Sequence, residues 1–133
     1  MNKPAHFSLK ELTATSTNLD NSISSWEVIE NLEWMCGYLE LIRERFGSRP
    51  LKINSGYRSQ AVNKAVNGAR TSAHCRGLAV DVCPSDKSLL SDFKNMMVQR
   101  VKTSLYPIDQ LIIYDPFVHI GFSHNPRLEI LYK

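Results

Sequence analysis

The chain has 133 residues, of which 43% are hydrophobic and 22% charged, and its formal net charge is +3. This length and composition fit one globular domain over residues 1–133, large enough to bury a core without crosslinks. The basic residues are scattered and no apolar run could cross a bilayer, so we expect neither nucleic-acid binding nor membrane insertion.

The N-terminal third of the chain predicts a surface segment followed by one long helix. The first 22 residues are polar, and we expect them to wrap around the surface with Phe7, Leu9 and Leu12 as anchors. Ser24 and Glu27 form a capping-box pattern at the start of the helix. Apolar residues then recur at helical spacing until a glycine ends the pattern: Ile29, Leu32, Cys36, Leu39, Ile42, Phe46 and Gly47.

The middle of the chain predicts two strands around a short helix. "LKINS" alternates as a strand that ends in a turn before Arg58, and Ser59 caps the helix "QAVNKAV", which Asn67 and Gly68 close. In "GLAVDVC" the aliphatic residues share one face of the second strand, and Asp81 lies on the other. An acid is therefore presented from a strand whose opposite face is buried.

The last third predicts a helix and then strands. A second amphipathic helix follows Pro84. "DQLIIY" and "FVHIGF", separated only by Asp115 and Pro116, predict a tight hairpin, and "RLEILY" predicts an edge strand. This order predicts an α+β fold in which a long N-terminal helix and a second helix pack on a small antiparallel sheet.

Two residues of "SAHCRGLAVDVC", His74 and Asp81, are of types that bind metals. A catalytic zinc site needs three protein ligands and an open fourth position. The best third ligand is His119, because strand alternation places it on the face opposite Val118 and Ile120. The alternative is that these histidines are hydrogen-bonded structural residues and that the aspartate is a turn or cap partner.

Other polar residues near this segment allow competing interpretations. Cys75, which follows His74 directly, could be a nucleophile if a base lay near it, although small buried thiols are the usual role of free cysteines. The three cysteines, Cys36, Cys75 and Cys83, form no CxxC pair and predict no disulfide framework. Arg58 precedes a helix, where a guanidinium can hold a carboxylate or an oxyanion or can lie exposed on the surface. Two histidines lack a partner pattern and are interpreted as surface residues: His6 and His124.

Four ordered segments of the chain resemble one known family. They are "SGYRS" at 55–59, "VNKAVNGA" at 62–69, "SAHCRGLAVD" at 72–81 and "VHI" at 118–120. Together they resemble the zinc D-Ala-D-Ala carboxypeptidase group, which includes phage endolysin metallopeptidases and is related to lysostaphin-type peptidases and the hedgehog domain. The likeness extends over nearly the whole chain and implies a fold of the hedgehog and D-Ala-D-Ala peptidase type.

The resemblance implies a role for each matching residue. It implies that His74, Asp81 and His119 hold one Zn²⁺ ion. It also implies that Arg58 polarises the scissile carbonyl or binds a substrate carboxylate, and that Ser72 helps to hold the substrate backbone. The better-known members carry an acidic general base three residues before the last histidine, where this chain has Pro116. Asp115, one residue earlier, is the base that we predict.

The implied activity is zinc-dependent hydrolysis of amide bonds in peptidoglycan peptides. The enzyme would be a D-Ala-D-Ala carboxypeptidase or an endolysin endopeptidase that cuts within the stem peptide. The chain as given starts without a signal-peptide pattern, which fits synthesis in the cytoplasm with release to the cell wall through a phage holin. The alternatives are a non-catalytic zinc-containing binding module on the same scaffold and a thiol enzyme that uses Cys75.

Overall fold

A computed structural model describes residues 6–23 and 25–133. The described part of the chain contains four helices, five strands and two short 3-10 turns, the first of which covers Ala73–Arg76. In chain order the helices and strands are α1 (Leu9–Leu12), α2 (Trp26–Arg45), β1 (Leu51–Ser55), α3 (Gln60–Ala65), β2 (Ala79–Pro84), α4 (Leu90–Lys102), β3 (Ile108–Ile113), β4 (Val118–Phe122) and β5 (Glu129–Tyr132).

The strands form one mixed sheet in the order β1-β2-β4-β3-β5. From β1 to β3 in this order, each strand pairs antiparallel with the next. At the edge β5 pairs parallel with β3, so the prediction of a fully antiparallel sheet is wrong there. The reason lies in where the strands begin and end. Phe122 at the end of β4 pairs with Ile108 at the start of β3, and β5 begins beside the same end at Gln110. The chain therefore reverses directly after β4, with β3 lying between the two strands.

The long helix of the sequence analysis is α2, and it is the second helix of the chain. Its N-cap is Ser25, whose hydroxyl accepts a hydrogen bond from the backbone N–H of Glu27 at 3.2 Å. The predicted cap Ser24 lies outside the described residues. The helix ends at Arg45, and Gly47 follows with a φ of 81°, a left-handed conformation that glycine adopts without strain.

The two faces of the sheet differ in what covers them. One face of the sheet packs with α2 and α4 in a common hydrophobic core, in which Val80, Leu111 and Ile120 are fully buried. Helix α4 contacts both β2 and β3. Because strand residues alternate between faces, Asp81 and His119 lie on the face away from that core. The packed face therefore fixes the strands that carry both candidate ligands.

The N-terminal segment braces the loop after β1. The anchors Phe7 and Leu12 are buried, whereas Leu9 is 49% exposed, because α1 turns only one side to the core. The Leu12 carbonyl accepts a hydrogen bond from the Tyr57 N–H at 2.7 Å, and a Cβ on Gly56 would overlap that carbonyl. Close backbone contact at Gly56 thus fixes the loop that leads to the candidate site.

The three cysteines are free, as the sequence predicts. Cys36 is buried in the core, and the side chains of Cys75 and Cys83 are half-buried. Among helices in the described part of the chain, none is both long and apolar enough to cross a membrane.

Candidate metal centre

His74 reaches the site from the 3-10 turn between α3 and β2. The Ser72 hydroxyl caps this turn by accepting a hydrogen bond from the His74 N–H at 3.2 Å. Gly77 ends the turn with a φ of 73°, and a Cβ there would lie 3.0 Å from both the Leu32 side chain and the Val28 carbonyl. Only glycine satisfies both the backbone conformation and the contact with α2 without strain. The turn therefore delivers His74 and then returns the chain at once into β2.

Asp81 and His119 face each other across neighbouring strands. They are register partners in the antiparallel pair of β2 and β4, and the His119 Nδ1 lies 2.9 Å from the Asp81 Oδ1. Directly opposed strand residues have their side chains on the same face of the sheet and within contact distance. Strand alternation predicted that His119 and Asp81 leave the sheet on the same side, and the structure brings the two side chains together there.

The three candidate ligands form one compact cluster. The His74 Nε2 lies 3.3 Å from the Asp81 Oδ1, and one ligand atom from each of His74, Asp81 and His119 lies within 4.8 Å of the other two. Two imidazoles and one carboxylate are a donor set that suits zinc, with room for a fourth ligand. The residues present therefore fit a metal ion of this type.

A hydrogen bond from the loop after β1 sets the tautomer of His74. The His74 Nδ1 lies 2.7 Å from the Gly56 carbonyl oxygen, and since a carbonyl only accepts, the Nδ1 must donate. The Nε2 of the neutral ring is then left as an acceptor that faces Asp81. The imidazole is 3% exposed, so surrounding atoms hold this orientation. The Gly56 loop thus prepares His74 to bind a cation.

The charge of the cluster comes from Asp81, which is 8% exposed. Burial raises the pKa of this carboxyl group, but the hydrogen bond from His119 and the adjacent His74 imidazole outweigh burial and hold its pKa well below the usual range. The carboxylate is therefore ionised over the physiological pH range. An ionised ligand beside two imidazoles favours a divalent cation at the centre of the cluster.

Arg58 lies at the edge of the cluster rather than free on the surface. Its Nη2 is 3.5 Å from the Asp81 Oδ2, its Nε donates to the Ser55 hydroxyl at 3.2 Å, and its side chain is only 17% exposed. Its backbone N–H donates to the His74 carbonyl at 3.1 Å. The guanidinium is thus held beside the carboxylate, and apart from a hydrogen bond to Asn63 its remaining N–H groups donate to no other side chain or carbonyl in the part of the chain that the structure describes.

Asn63, which was not predicted from the sequence, supports Arg58. Its side chain is 2% exposed: its Oδ1 accepts from the Arg58 Nη1 at 3.3 Å, and its Nδ2 donates to the Ala69 carbonyl at 2.8 Å. A Cβ on Gly68 would overlap the Asn63 Oδ1 and lie 3.1 Å from the Arg58 Nη1. The sequence pattern that could have indicated this role is a polar residue next to Val62 on the buried side of a short helix, followed five positions later by a glycine.

The predicted base, Asp115, is not brought together with these residues. It is exposed in the turn between β3 and β4, where its backbone carbonyl accepts a hydrogen bond from the Lys94 Nζ at 2.9 Å. Its neighbours Tyr114 and Phe117 line the cleft over the cluster, but Asp115 does not. Ile112 is the register partner of His119 and lies on the same face, but β3 ends at Ile113, and the turn that follows leaves Asp115 exposed.

The cleft over the cluster is open and polar. It encloses about 770 Å³, and Ser72 and Arg58 line it together with the three candidate ligands. The Ser72 hydroxyl already accepts from the His74 backbone, but it keeps its own proton for a ligand in the cleft. This space is large enough for several residues of an extended peptide.

The cysteines and the other histidines are not members of the cluster. Burial raises the pKa of Cys75 despite the charges of Arg58 and Arg76, so its thiol is not activated. Cys83 lies 3.6 Å from the Asn54 Nδ2. The two remaining histidines contact other surface groups, His6 at the Glu40 carboxylate and His124 stacked on Trp34.

Comparison with known proteins gives one family. The model of the family described as Peptidase M15 matches residues 5–121, a range that contains the whole cluster together with Arg58, Asn63 and Ser72. No curated protein matches the chain.

Proposed function

Because the chain belongs to the Peptidase M15 family, we propose that it is a zinc-dependent peptidase whose metal ligands are His74, Asp81 and His119. The observation that carries this proposal is the convergence of two imidazoles on one buried carboxylate, with one ligand atom from each within 4.8 Å of the others. Zinc bound in such a site supplies Lewis-acid polarisation of a carbonyl and acidification of a water molecule.

The residues around the metal ligands have separate tasks in this proposal. Arg58 directs its free N–H groups at the oxygen of the scissile carbonyl or at a substrate carboxylate, where a fixed cation stabilises developing negative charge. Ser72 donates its hydroxyl proton to the substrate backbone. Asp115 stays our predicted general base: its turn adjoins Tyr114 and Phe117, which line the cleft, and the carboxylate must turn inward to take a proton there.

The proposed substrate is the peptide part of peptidoglycan, as the resemblance to zinc D-Ala-D-Ala carboxypeptidases and endolysins implies. Hydrolysis of the terminal D-Ala-D-Ala bond would release free D-alanine, whereas an endopeptidase would release longer peptides. Mass spectrometry of digested cell-wall peptides distinguishes the two activities directly. A protein that releases neither product contradicts the proposed substrate.

The metal dependence is tested with matched histidine variants. Purified protein dialysed against zinc should retain one ion per chain, and chelation should abolish hydrolysis of cell-wall peptides. His74→Ala should lose both the ion and the hydrolysis, while His6→Ala, a histidine outside the cluster, should keep both. Hydrolysis that survives chelation but is lost in Cys75→Ser would favour the thiol enzyme instead.

A second candidate function is a zinc-containing binding module. The exposed position of Asp115 outside the cleft favours this candidate, because a site without a proton acceptor can bind a peptide and leave it intact. Zinc retained at one ion per chain, with peptide binding but no hydrolysis of any cell-wall peptide, would be its signature.

A further inference from the structure

A second pocket adjoins the cleft on the side of Ser72. It encloses about 620 Å³ and is lined by three arginines, Arg70, Arg76 and Arg127, together with neutral residues. We call it the arginine pocket. The two spaces adjoin each other, because four residues line both this pocket and the cleft over the metal cluster: Thr71, Ser72, Arg76 and Arg127.

The arginine pocket carries a large excess of positive charge. No carboxylate is among its lining residues. Within residues 6–23 and 25–133, neither Arg70 nor Arg76 forms an ion pair, whereas Arg127 is paired with Asp109 at 2.8 Å. Hydrogen bonds from Arg127 hold the pKa of Asp109 below its usual range, and the charge of Arg76 contributes in the same direction. At least two guanidinium groups are therefore available to an anion.

The position of the pocket links it to the metal cluster. Ser72, which lines the pocket, accepts a hydrogen bond from the backbone N–H of the candidate ligand His74. The Cα atoms of residues two apart in the chain are at most about 7 Å apart, so the edge of the pocket at Ser72 lies within one or two peptide residues of the cluster.

We propose that the arginine pocket binds a carboxylate of the peptide that occupies the cleft, as a specificity site on the Ser72 side of the metal centre. Planar guanidinium groups match the two oxygens of a carboxylate, and the Thr71 hydroxyl and the Gln60 amide add neutral donors. The identity of the ligand as a peptide rests on the proposed function. The carboxylate is that of an acidic side chain or of the peptide C-terminus, since both present the same chemistry.

The test uses the full chain equilibrated with zinc and a set of acetylated alanine tetrapeptides. One series carries a single glutamate at each position in turn with an amidated C-terminus, and its reference carries glutamine at the same position. A third peptide carries glutamine with a free C-terminal carboxylate. Binding is measured by NMR titration, and mass spectrometry of the same samples follows hydrolysis separately.

We expect an acidic peptide to bind about fivefold more tightly than its glutamine reference, as exposed ion pairs allow. Whether the preferred peptide carries glutamate or the free C-terminus identifies the source of the carboxylate. The double variant Arg70→Gln with Arg76→Gln should lose the preference. A variant with the same loss of charge elsewhere, Arg45→Gln with Lys102→Gln, should retain it, since both residues are exposed at helix ends away from the groove.

Three outcomes would overturn the proposal: equal affinity for acidic and neutral peptides, a preference that survives the arginine double variant, or no binding of any peptide. The failure of the proposed function is a different result. Peptides that bind with the carboxylate preference but are never hydrolysed would support the arginine pocket and contradict the proposed peptidase activity. Hydrolysis without the carboxylate preference would support the peptidase activity and contradict the arginine pocket.

Discussion

The metal cluster and the turn that carries Asp115 both adjoin β4, but they differ in how many contacts fix them. In the cluster, Asp81 contacts two imidazoles and a guanidinium, and the ring of His74 is held on its far side by the Gly56 carbonyl. In the turn, the backbone of Asp115 accepts one hydrogen bond from Lys94, and its carboxylate accepts none from the described residues. The positions of the cluster side chains are therefore fixed by many contacts, and the position of the Asp115 side chain by few.

This difference separates the residues that would bind the metal from the turn residue that must move to act as a base. Residues that hold a metal gain affinity when their positions are fixed before the ion arrives, because less conformational freedom is lost on binding. A proton acceptor on an exposed turn can approach the cleft only if the turn rearranges. The cluster is therefore fixed for metal binding, while the proposed role of Asp115 as general base requires the turn to rearrange.

The largest expected effect is on the cluster. Asp81→Asn removes the only negative charge among the three ligands, and we expect loss of the metal and of all zinc-dependent hydrolysis, a larger effect than the roughly 10–100-fold that outer contacts contribute to metal affinity. Metal content after dialysis measures this. Asp92→Asn, at an exposed position of α4, is the control and should keep one zinc ion per chain. Full zinc retention in Asp81→Asn would show that the ion binds elsewhere.

The next effect should separate the turn from the cluster. Asp115→Asn should keep the zinc and the thermal stability, yet lower kcat by about 100-fold or more, because general-base catalysis contributes about that much. Lys94→Gln is the matched variant, since it frees the backbone of the turn and leaves the carboxylate in place. An unchanged kcat in Asp115→Asn would assign the proton transfer to another group.

The same difference explains how much the sequence could predict. Alternation within "GLAVDVC" and "FVHIGF" puts Asp81 and His119 on one face, because the side chains of a strand have a fixed period. The antiparallel pairing of these strands then sets them opposite each other. A turn has no such period, so alignment to a family pattern placed Asp115 near the cleft, whereas the turn leaves it exposed and outside the cleft lining. Regular elements could be predicted, and the irregular segment could not.

Two further features depended on long-range packing that no local pattern shows. The parallel pairing of β5 follows from a reversal around the end of β3, whereas "RLEILY" reads the same for either strand direction. The role of Asn63 depends on Arg58 and on the Ala69 carbonyl, which chain reversal brings to its two ends. In both cases the structure depends on a partner that is distant in the sequence, namely β3 for the direction of β5 and Arg58 for the role of Asn63.

Asn63→Ala should have an intermediate effect, because it loosens Arg58 without touching the metal ligands. Loss of this buried amide, which makes two hydrogen bonds, should cost about 1–3 kcal/mol of unfolding free energy. If Arg58 acts on the reacting carbonyl, kcat should fall by about tenfold with zinc content unchanged. Denaturant unfolding and steady-state kinetics measure the two effects. Asn95→Ala, exposed on α4, should change neither quantity, and an unaltered kcat in Asn63→Ala would mean that Arg58 needs no support from this amide.

The smallest expected effect, that of Gly37→Ala, belongs to a pair of glycine substitutions that compare the fixed loop with an open helix surface. Gly56→Ala pushes a Cβ into the Leu12 carbonyl and should destabilise the protein by about 1–3 kcal/mol, as overpacking does. It should also weaken zinc binding, because the Gly56 carbonyl orients His74. Gly37→Ala in α2, where a Cβ meets nothing within 4 Å, should stabilise the protein by roughly 0.5–1 kcal/mol with zinc affinity unchanged. Equal zinc affinity in both variants would show that the cluster holds its geometry without the Gly56 loop.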